Sequence, residues 1–270
     1  MIRSKIHAML AVALIAGLAV TASADEKYPY RGDYPDVKTI ETYDLFLGLE
    51  SGEFVVVDVR SKLEYDVIHI DGAHHIAVSQ KTFAGEIADL VAANPGRNVA
   101  FYCNGTTCLK SYKAAQEAMA AGFDNVYAFD AGIPEWASVW PQSTLLLGKA
   151  ITDPDKQLLK KSYFQGKCLD FAAFQTKAAE PNAMVIDVRD HIQKSGDLPG
   201  ITGARGIPLD VFIPNFVARK ENQDKTLLIF DQVGKQIKWL QYYLEEYGYS
   251  DYHFLEGGAT QVLKGQEYRS

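Results

Sequence analysis

The stretch Phe54-Val55-Val56-Val57-Asp58-Val59-Arg60 is an apolar run closed by a charged pair, and Ala183-Met184-Val185-Ile186-Asp187-Val188-Arg189 repeats it 129 residues later. Short runs rich in β-branched residues and apolar on both faces read as buried strands of a parallel sheet. Recurrence at one fixed offset predicts that the chain carries the same unit twice. Working outward, a second buried strand follows in each half, Asn98–Tyr102 and Thr226–Phe230. The residue after it is Cys103 in the first half and Asp231 in the second, 45 residues past Asp58 and 44 past Asp187. Next come helical patterns over 111–121 and 235–247, stopped by Gly122 and Gly248. Third strands over 126–129 and 252–255 lead to Gly132 and Gly258, each ten residues beyond the stop.

Strands alternating with helices define an α/β fold. We expect two units, each a central, mostly parallel β-sheet flanked by helices. Ser61-Lys62-Leu63-Glu64 is a capping box that starts a helix just after the first strand, and 82–93 reads as an amphipathic helix closed by Asn94-Pro95-Gly96. The first unit is expected over 33–140 and the second over 162–270. Pro141 and Pro154 break any long element in 141–161, which reads as a linker.

Residues 1–24 read as a cleaved signal peptide. Arg3 and Lys5 give a basic start, 8–20 is apolar and small, and Ala22-Ser23-Ala24 is a small-x-small cleavage pattern, with the cut after Ala24. The apolar run falls short of the roughly 20 residues of a spanning helix. An exported, periplasmic protein follows, without membrane attachment after cleavage. The formal charge is −7 for the whole chain and becomes −9 once Arg3 and Lys5 are removed. With no basic stripe, nucleic acid is a poor partner. A negative protein also needs a local trap for any anionic substrate.

Three cysteines, Cys103, Cys108 and Cys168, are too few for a disulfide scaffold and odd in number, so at least one stays unpaired within a monomer. They matter as chemistry more than as staples. Cys103 sits at the carboxyl end of a parallel strand, one loop before a helix, where open α/β sheets bind their ligands. The loop is Cys103-Asn104-Gly105-Thr106-Thr107-Cys108-Leu109-Lys110-Ser111. Its backbone N–H groups can curl inward as an anion cradle, and the helix N-terminus adds about half a positive charge. Gly105 permits a tight turn, Thr106 and Thr107 offer hydroxyls, and Lys110 offers a cation. Such a setting is expected to lower the Cys103 pKa and favour the thiolate. In the second half Asp231 stands in the nucleophile's place, where its carboxylate can satisfy the same amides.

These motifs together resemble the rhodanese-like family of sulfurtransferases. The first half supplies Val57-Asp58-Val59-Arg60, Glu64, His69-Ile70-Asp71-Gly72-Ala73, Tyr102-Cys103, Ala114-Ala115, Gly122-Phe123, Val126-Tyr127 and Gly132-Ile133-Pro134-Glu135-Trp136. The second supplies Ile186-Asp187-Val188-Arg189, Gly203-Ala204-Arg205-Gly206-Ile207-Pro208, Gly248-Tyr249 and Gly257-Gly258. The resemblance implies that Cys103 takes up sulfane sulfur as a persulfide, with Asn104 to Ser111 as its substrate loop. It also implies a small sulfur-donor anion and a thiol or cyanide acceptor as partners, and no cofactor. Two departures qualify it. The loop after Cys103 is about two residues longer than its counterpart after Asp231 and holds a second cysteine. Longer loops in the family accompany phosphatases and arsenate reductases. Asp231 rules out cysteine-based transfer in the second half, whereas tandem members of the family usually place the inactive unit first.

Several readings stay open at this level. Cys108 is a resolving thiol, a disulfide partner of Cys103, or a bystander. The whole is a sulfurtransferase, a thiol redox protein using Cys103 and Cys108, or a persulfide carrier and binding module without efficient turnover. Cys168 reads as a packed thiol in the second unit's first helix. Asp58 with Arg60 reads as a structural ion pair, and Trp136 as packing. His69, His74 and His75 do not match a structural zinc spacing, so no metal is expected.

Overall fold

The computed structural model describes residues 27–194 and 196–267. The signal peptide expected over 1–24 lies outside them. Among the described residues, no helix is long and apolar enough to cross a membrane. The chain divides into two compact units between Leu145 and Leu146.

The first unit is built on five parallel strands: β1 (Lys38–Thr39), β2 (Phe54–Asp58), β3 (His74–His75), β4 (Asn98–Tyr102) and β5 (Val126–Phe129). Their order across the sheet is β1-β5-β4-β2-β3. All five residues of β2 are buried, as a strand covered on both faces requires. Helices α1 (Thr42–Glu50), α2 (Lys62–Val67), α3 (Phe83–Ala93), α4 (Lys110–Ala120) and α5 (Gly132–Val139) connect the strands. On one face Val55, Val57, Val99 and Phe101 pack with Phe83, Ile87 and Leu90 of α3 and with Ala114, Ala115 and Ala118 of α4. The three alanines let α4 lie close against the sheet. On the other face Phe46 of α1 meets Trp136 of α5, which in turn meets Phe129 edge-on. The Ser61–Glu64 capping box forms in full and starts α2.

The second unit has strands β6 (Cys168–Leu169), β7 (Ala183–Asp187), β8 (Arg205–Gly206), β9 (Thr226–Phe230) and β10 (Tyr252–Leu255), all parallel. Their order, β6-β10-β9-β7-β8, runs as it does in the first unit. Helices α6 (Phe171–Ala178), α7 (Ile237–Glu246) and α8 (Gly258–Glu267) follow β6, β9 and β10.

The likeness extends to single bonds. The Val59 N–H donates to the Tyr102 carbonyl, and Val188 N–H to that of Phe230. Ile76 N–H donates to Asp58 and Ile207 N–H to Asp187. In each unit the first charged pair is buried: Asp58 with Arg60 at 2.6 Å, and Asp187 with Arg189 at 2.8 Å.

Two local expectations need correction. Cys168 lies in the edge strand β6, not in a helix; the preceding helix Lys161–Lys167 ends beside it, and the Cys168 thiol donates to the Phe164 carbonyl. The helix expected over 235–247 begins at Ile237, because the N–H groups of Gly234, Gln236 and Ile237 turn toward the Asp231 carboxylate. The stretch 141–161 holds only short elements, a 3-10 turn at Pro141–Ser143, strands Thr144–Leu146 and Lys149–Ala150, and a helical turn at Pro154–Gln157. Both prolines stand at the first position of their turns, where the missing N–H costs nothing.

Candidate active site

Cys103 follows β4 directly and is fully buried. Its thiol donates to the Cys108 carbonyl at 3.3 Å and to the Ser111 hydroxyl at 3.7 Å. The loop between β4 and α4 folds back through a tight turn, in which the Cys108 N–H donates to the Gly105 carbonyl at 2.8 Å. Gly105 makes that turn at φ +99°, a region L side chains rarely adopt.

Both ends of the loop are anchored. Behind Cys103, its carbonyl accepts the Ile133 N–H at 3.0 Å. Gly132 stands against this point at φ +63°, where a Cβ would lie 2.4 Å from the Cys103 carbonyl oxygen and 2.5 Å from the Gly105 nitrogen. Only glycine lets α5 begin so close. At the next residue Asn104 is held from two sides. Its Oδ1 accepts from the Arg60 guanidinium at 3.1 Å, and its Nδ2 donates to Glu64 Oε1 at 2.5 Å. Arg60 is itself fixed by Asp58 and by the Ile68 carbonyl. Glu64 also accepts from Ser61 and lies 3.8 Å from the Lys110 ammonium. Burial alone would raise the Glu64 carboxyl; hydrogen bonds from Ser61 and Asn104, with the Lys110 charge, outweigh it and leave it below its ordinary value.

The electrostatics divide the two thiols. Burial, and then the neighbouring Cys108, push the Cys103 thiol far above the ordinary thiol range. The expected lowering at Cys103 is therefore reversed: the helix N-terminus and loop amides cannot offset the loss of water around a fully buried sulfur. Cys108 moves the other way. A hydrogen bond from the Cys103 thiol, bonds from the Lys110 and Asn104 N–H groups and the Lys110 charge together outweigh burial and bring it down to about 6. The buried Cys103 sulfur therefore lies against the backbone of the half-buried Cys108, and the loop favours the thiolate at Cys108 rather than at Cys103. Hydrogen bonding with Ser111 opposes the rise at Cys103 without overcoming it. Thr106 and Leu109 are half-buried and Thr107 is exposed, so these three form the loop's outer side.

Asp231 belongs to the other unit and has a cradle of its own. It is fully buried. One carboxylate oxygen accepts the Gly234 N–H, and the other accepts those of Gln236 at 2.7 Å and Ile237 at 3.3 Å. Its carbonyl accepts the Ala259 N–H at 2.9 Å, as that of Cys103 accepts Ile133. Gly258 crowds it as Gly132 crowds Cys103. Gln232 takes the part of Asn104, with its Oε1 3.4 Å from the Arg189 guanidinium. Among the described residues no group of three or more His, Cys, Asp or Glu side chains is placed to hold a metal ion.

Sequence reasoning named the loop but missed its supports, Arg60, Glu64 and Gly132, as parts of the site. The signal for Gly132 was present: a glycine at one fixed position after the third strand of both halves.

Residues 43–139 match the family model described as Rhodanese-like domain. Two curated relatives match over similar lengths. One is the tRNA uridine(34) hydroxylase of Photorhabdus laumondii, 33% identical over 92 residues, covering 33% of this chain and 25% of that protein. The other is the "Probable adenylyltransferase/sulfurtransferase MoeZ" of Mycobacterium tuberculosis, 32% identical over 100 residues, covering 37% of this chain and 24% of that one. The chain thus spans about a quarter of the length of these relatives. Among solved structures, the thiosulfate sulfurtransferase of Pseudomonas aeruginosa is similar at a TM-score of 0.38 and 19% identity, covering 89% of this chain and 46% of that one.

Proposed function

We propose that this protein is an exported, periplasmic sulfurtransferase that moves sulfane sulfur from a thiosulfate-like anion to a thiol or to cyanide through a persulfide on Cys103. The observation that carries the reading is the buried cysteine at the carboxyl end of the central strand, at the foot of a loop pinned through Asn104 and against Gly132. In the first step the Cys108 side chain rotates out of the cradle, which admits water and the donor, and Cys103 gives up its proton to a base in solution. The Cys103 sulfur attacks the sulfane sulfur of the donor, the sulfur–sulfur bond of thiosulfate breaks, and sulfite leaves. In the second step the acceptor attacks the terminal sulfur of the persulfide. Thiocyanate leaves when the acceptor is cyanide, and Cys103 regains its thiolate. The loop amides that now face Cys108 would hold the donor's anionic end.

The second unit is proposed to be a degenerate copy of the first, because strand order, buried ion pair and crowding glycine recur there. Asp231 cannot form a persulfide, so that unit transfers no sulfur. The test is thiocyanate formation from thiosulfate and cyanide by the full chain and by Cys103→Ser. We expect activity in the first and none in the second, with both folded; equal activity in the two would refute the assignment.

A second reading, a thiol redox protein, is supported by the closeness of the two cysteines, the Cys103 thiol lying 3.3 Å from the Cys108 carbonyl oxygen. It differs in outcome: an oxidant converts the reduced pair to a disulfide without sulfur uptake.

A further inference from the structure

Cys108 is not used as a sulfur carrier in the reaction above, yet the loop folds it back against the nucleophile. It is half-buried, whereas Cys103 is fully enclosed. The turn through Gly105 folds it back, with the Cys108 N–H on the Gly105 carbonyl at 2.8 Å, and the Cys103 thiol donates to the Cys108 carbonyl at 3.3 Å. Anchoring of Asn104 by Arg60 and Glu64, and of the Cys103 carbonyl by Ile133, keeps the two side chains on the same small patch. A side chain that must rotate out to admit a donor will also rotate back, and on its return it meets whatever Cys103 has gained.

We propose that Cys108 discharges the Cys103 persulfide internally and releases its sulfur as hydrosulfide, so that the final electron donor is an external dithiol. The inference rests on the sulfurtransferase reading. The Cys108 thiolate attacks Sγ of Cys103, the bond from Sγ to the terminal sulfur breaks, and that sulfur leaves with its hydrogen as HS⁻. The sulfane sulfur is reduced, and the two cysteine sulfurs are oxidised to a Cys103–Cys108 disulfide. Five residues in one turn can bring the two Cα atoms within the 4.4–6.8 Å a disulfide needs. A reduced dithiol then opens the disulfide by thiol exchange, through a mixed disulfide, and leaves as its own disulfide. Over a cycle, thiosulfate and a dithiol give sulfite, HS⁻, a disulfide and one proton. Cys108 thereby turns a transferase loop into a sulfane-sulfur reductase whose acceptor class is dithiols.

The experiment is a single turnover of the full chain, reduced, freed of reductant and kept anaerobic, then mixed with thiosulfate alone. Sulfide is trapped with a bimane reagent, and the protein is alkylated and weighed intact. For the parent protein we expect about one sulfide per chain, with Cys103 and Cys108 both protected from alkylation until reduced. Dithiothreitol should restart the release. Cys108→Ser, and Cys108→Ala as a second variant, should keep the mass of one added sulfur and release less than about a tenth of the parent's sulfide. A parent protein that holds its added sulfur and releases none overturns the inference while the sulfurtransferase reading stands. Sulfur uptake by neither the parent nor the variants overturns both. Sulfide release by the parent with no uptake by either variant makes Cys108 the receiving thiol and also overturns it.

Discussion

Gly132→Ala tests whether the site depends on the close approach of α5 to the loop. The added Cβ would lie 2.4 Å from the Cys103 carbonyl oxygen, 2.5 Å from the Gly105 nitrogen and 2.9 Å from the Gly105 Cα, all backbone atoms that no rotamer change can move aside. The residue also sits at φ +63°, which costs an L residue roughly 1–2 kcal/mol. Forcing backbone apart by most of an ångström adds about 1–3 kcal/mol of overpacking. Gly122→Ala isolates the first cost, because Gly122 has φ +95° and open space around its Cβ position. We expect a loss of about 1–2 kcal/mol for Gly122→Ala and about 2–5 kcal/mol for Gly132→Ala. Urea unfolding followed by tryptophan fluorescence measures both, in a Trp239→Phe background that leaves Trp136 and Trp140 as reporters of the first unit. Iodoacetamide labelling adds a local readout, since a displaced loop uncovers Cys103 only in Gly132→Ala. If the two variants lose the same stability and label alike, the loop is not held by that contact and the argument from glycine fails.

Arg60→Met leaves Asp58 buried without its partner and should cost about 3–5 kcal/mol, read in the same urea titration, and it should also loosen Asn104. Asp231→Ala strips the acceptor from three N–H groups of the second unit; we expect about 1–3 kcal/mol of destabilisation by thermal or urea unfolding and unchanged thiocyanate formation. The Cys108 thiol is lowered to about 6, so its alkylation should rise with pH through a midpoint near that value, against about 8.5 for a free thiol. The sign for stability follows: the cradle's hold on the Cys108 thiolate is fully present above the ordinary thiol pKa and is lost as pH falls through about 6. A labelling midpoint at the free-thiol value would show that the amides do not serve Cys108.

The longer strands were legible because four or five mostly buried, largely apolar residues in a row leave few alternatives. β4, β5, β9 and β10 have the bounds expected from the pattern. The two-residue strands β1, β3, β6 and β8 were not, since so short a piece carries no periodicity and exists only through its parallel neighbour. That is why Cys168 was misplaced in a helix. At the site, the positions of Cys103 and Asp231 at strand ends could be counted along the chain. The proton balance between Cys103 and Cys108 could not. It depends on which sulfur the loop turns toward its amides and which it seals from water, and no spacing rule carries that. The argument from the helix N-terminus was sound in kind but omitted desolvation, which dominates at a sulfur with no exposed surface.

The two units meet the same electrostatic demand by different means. A loop whose N–H groups turn inward needs an anion or a ligand at its centre, because buried donors left unpaired are costly. In the second unit Asp231 meets that need permanently: its carboxylate accepts three N–H groups and has no side-chain rotation that keeps them paired elsewhere. In the first unit Cys103 lies too deep to ionise easily, and the Cys108 sulfur takes the amides of Asn104 and Lys110 instead. A thiolate differs from a carboxylate in two respects that matter here. It is a nucleophile, and it can be exchanged for another anion at the cost of one side-chain rotation. Replacing the strand-end cysteine by aspartate therefore closes a cradle, whereas adding a cysteine five residues further on fills a cradle and leaves it able to open. The longer loop of the first unit fits this difference, since its turn from Gly105 to Cys108 folds the second cysteine back against Cys103.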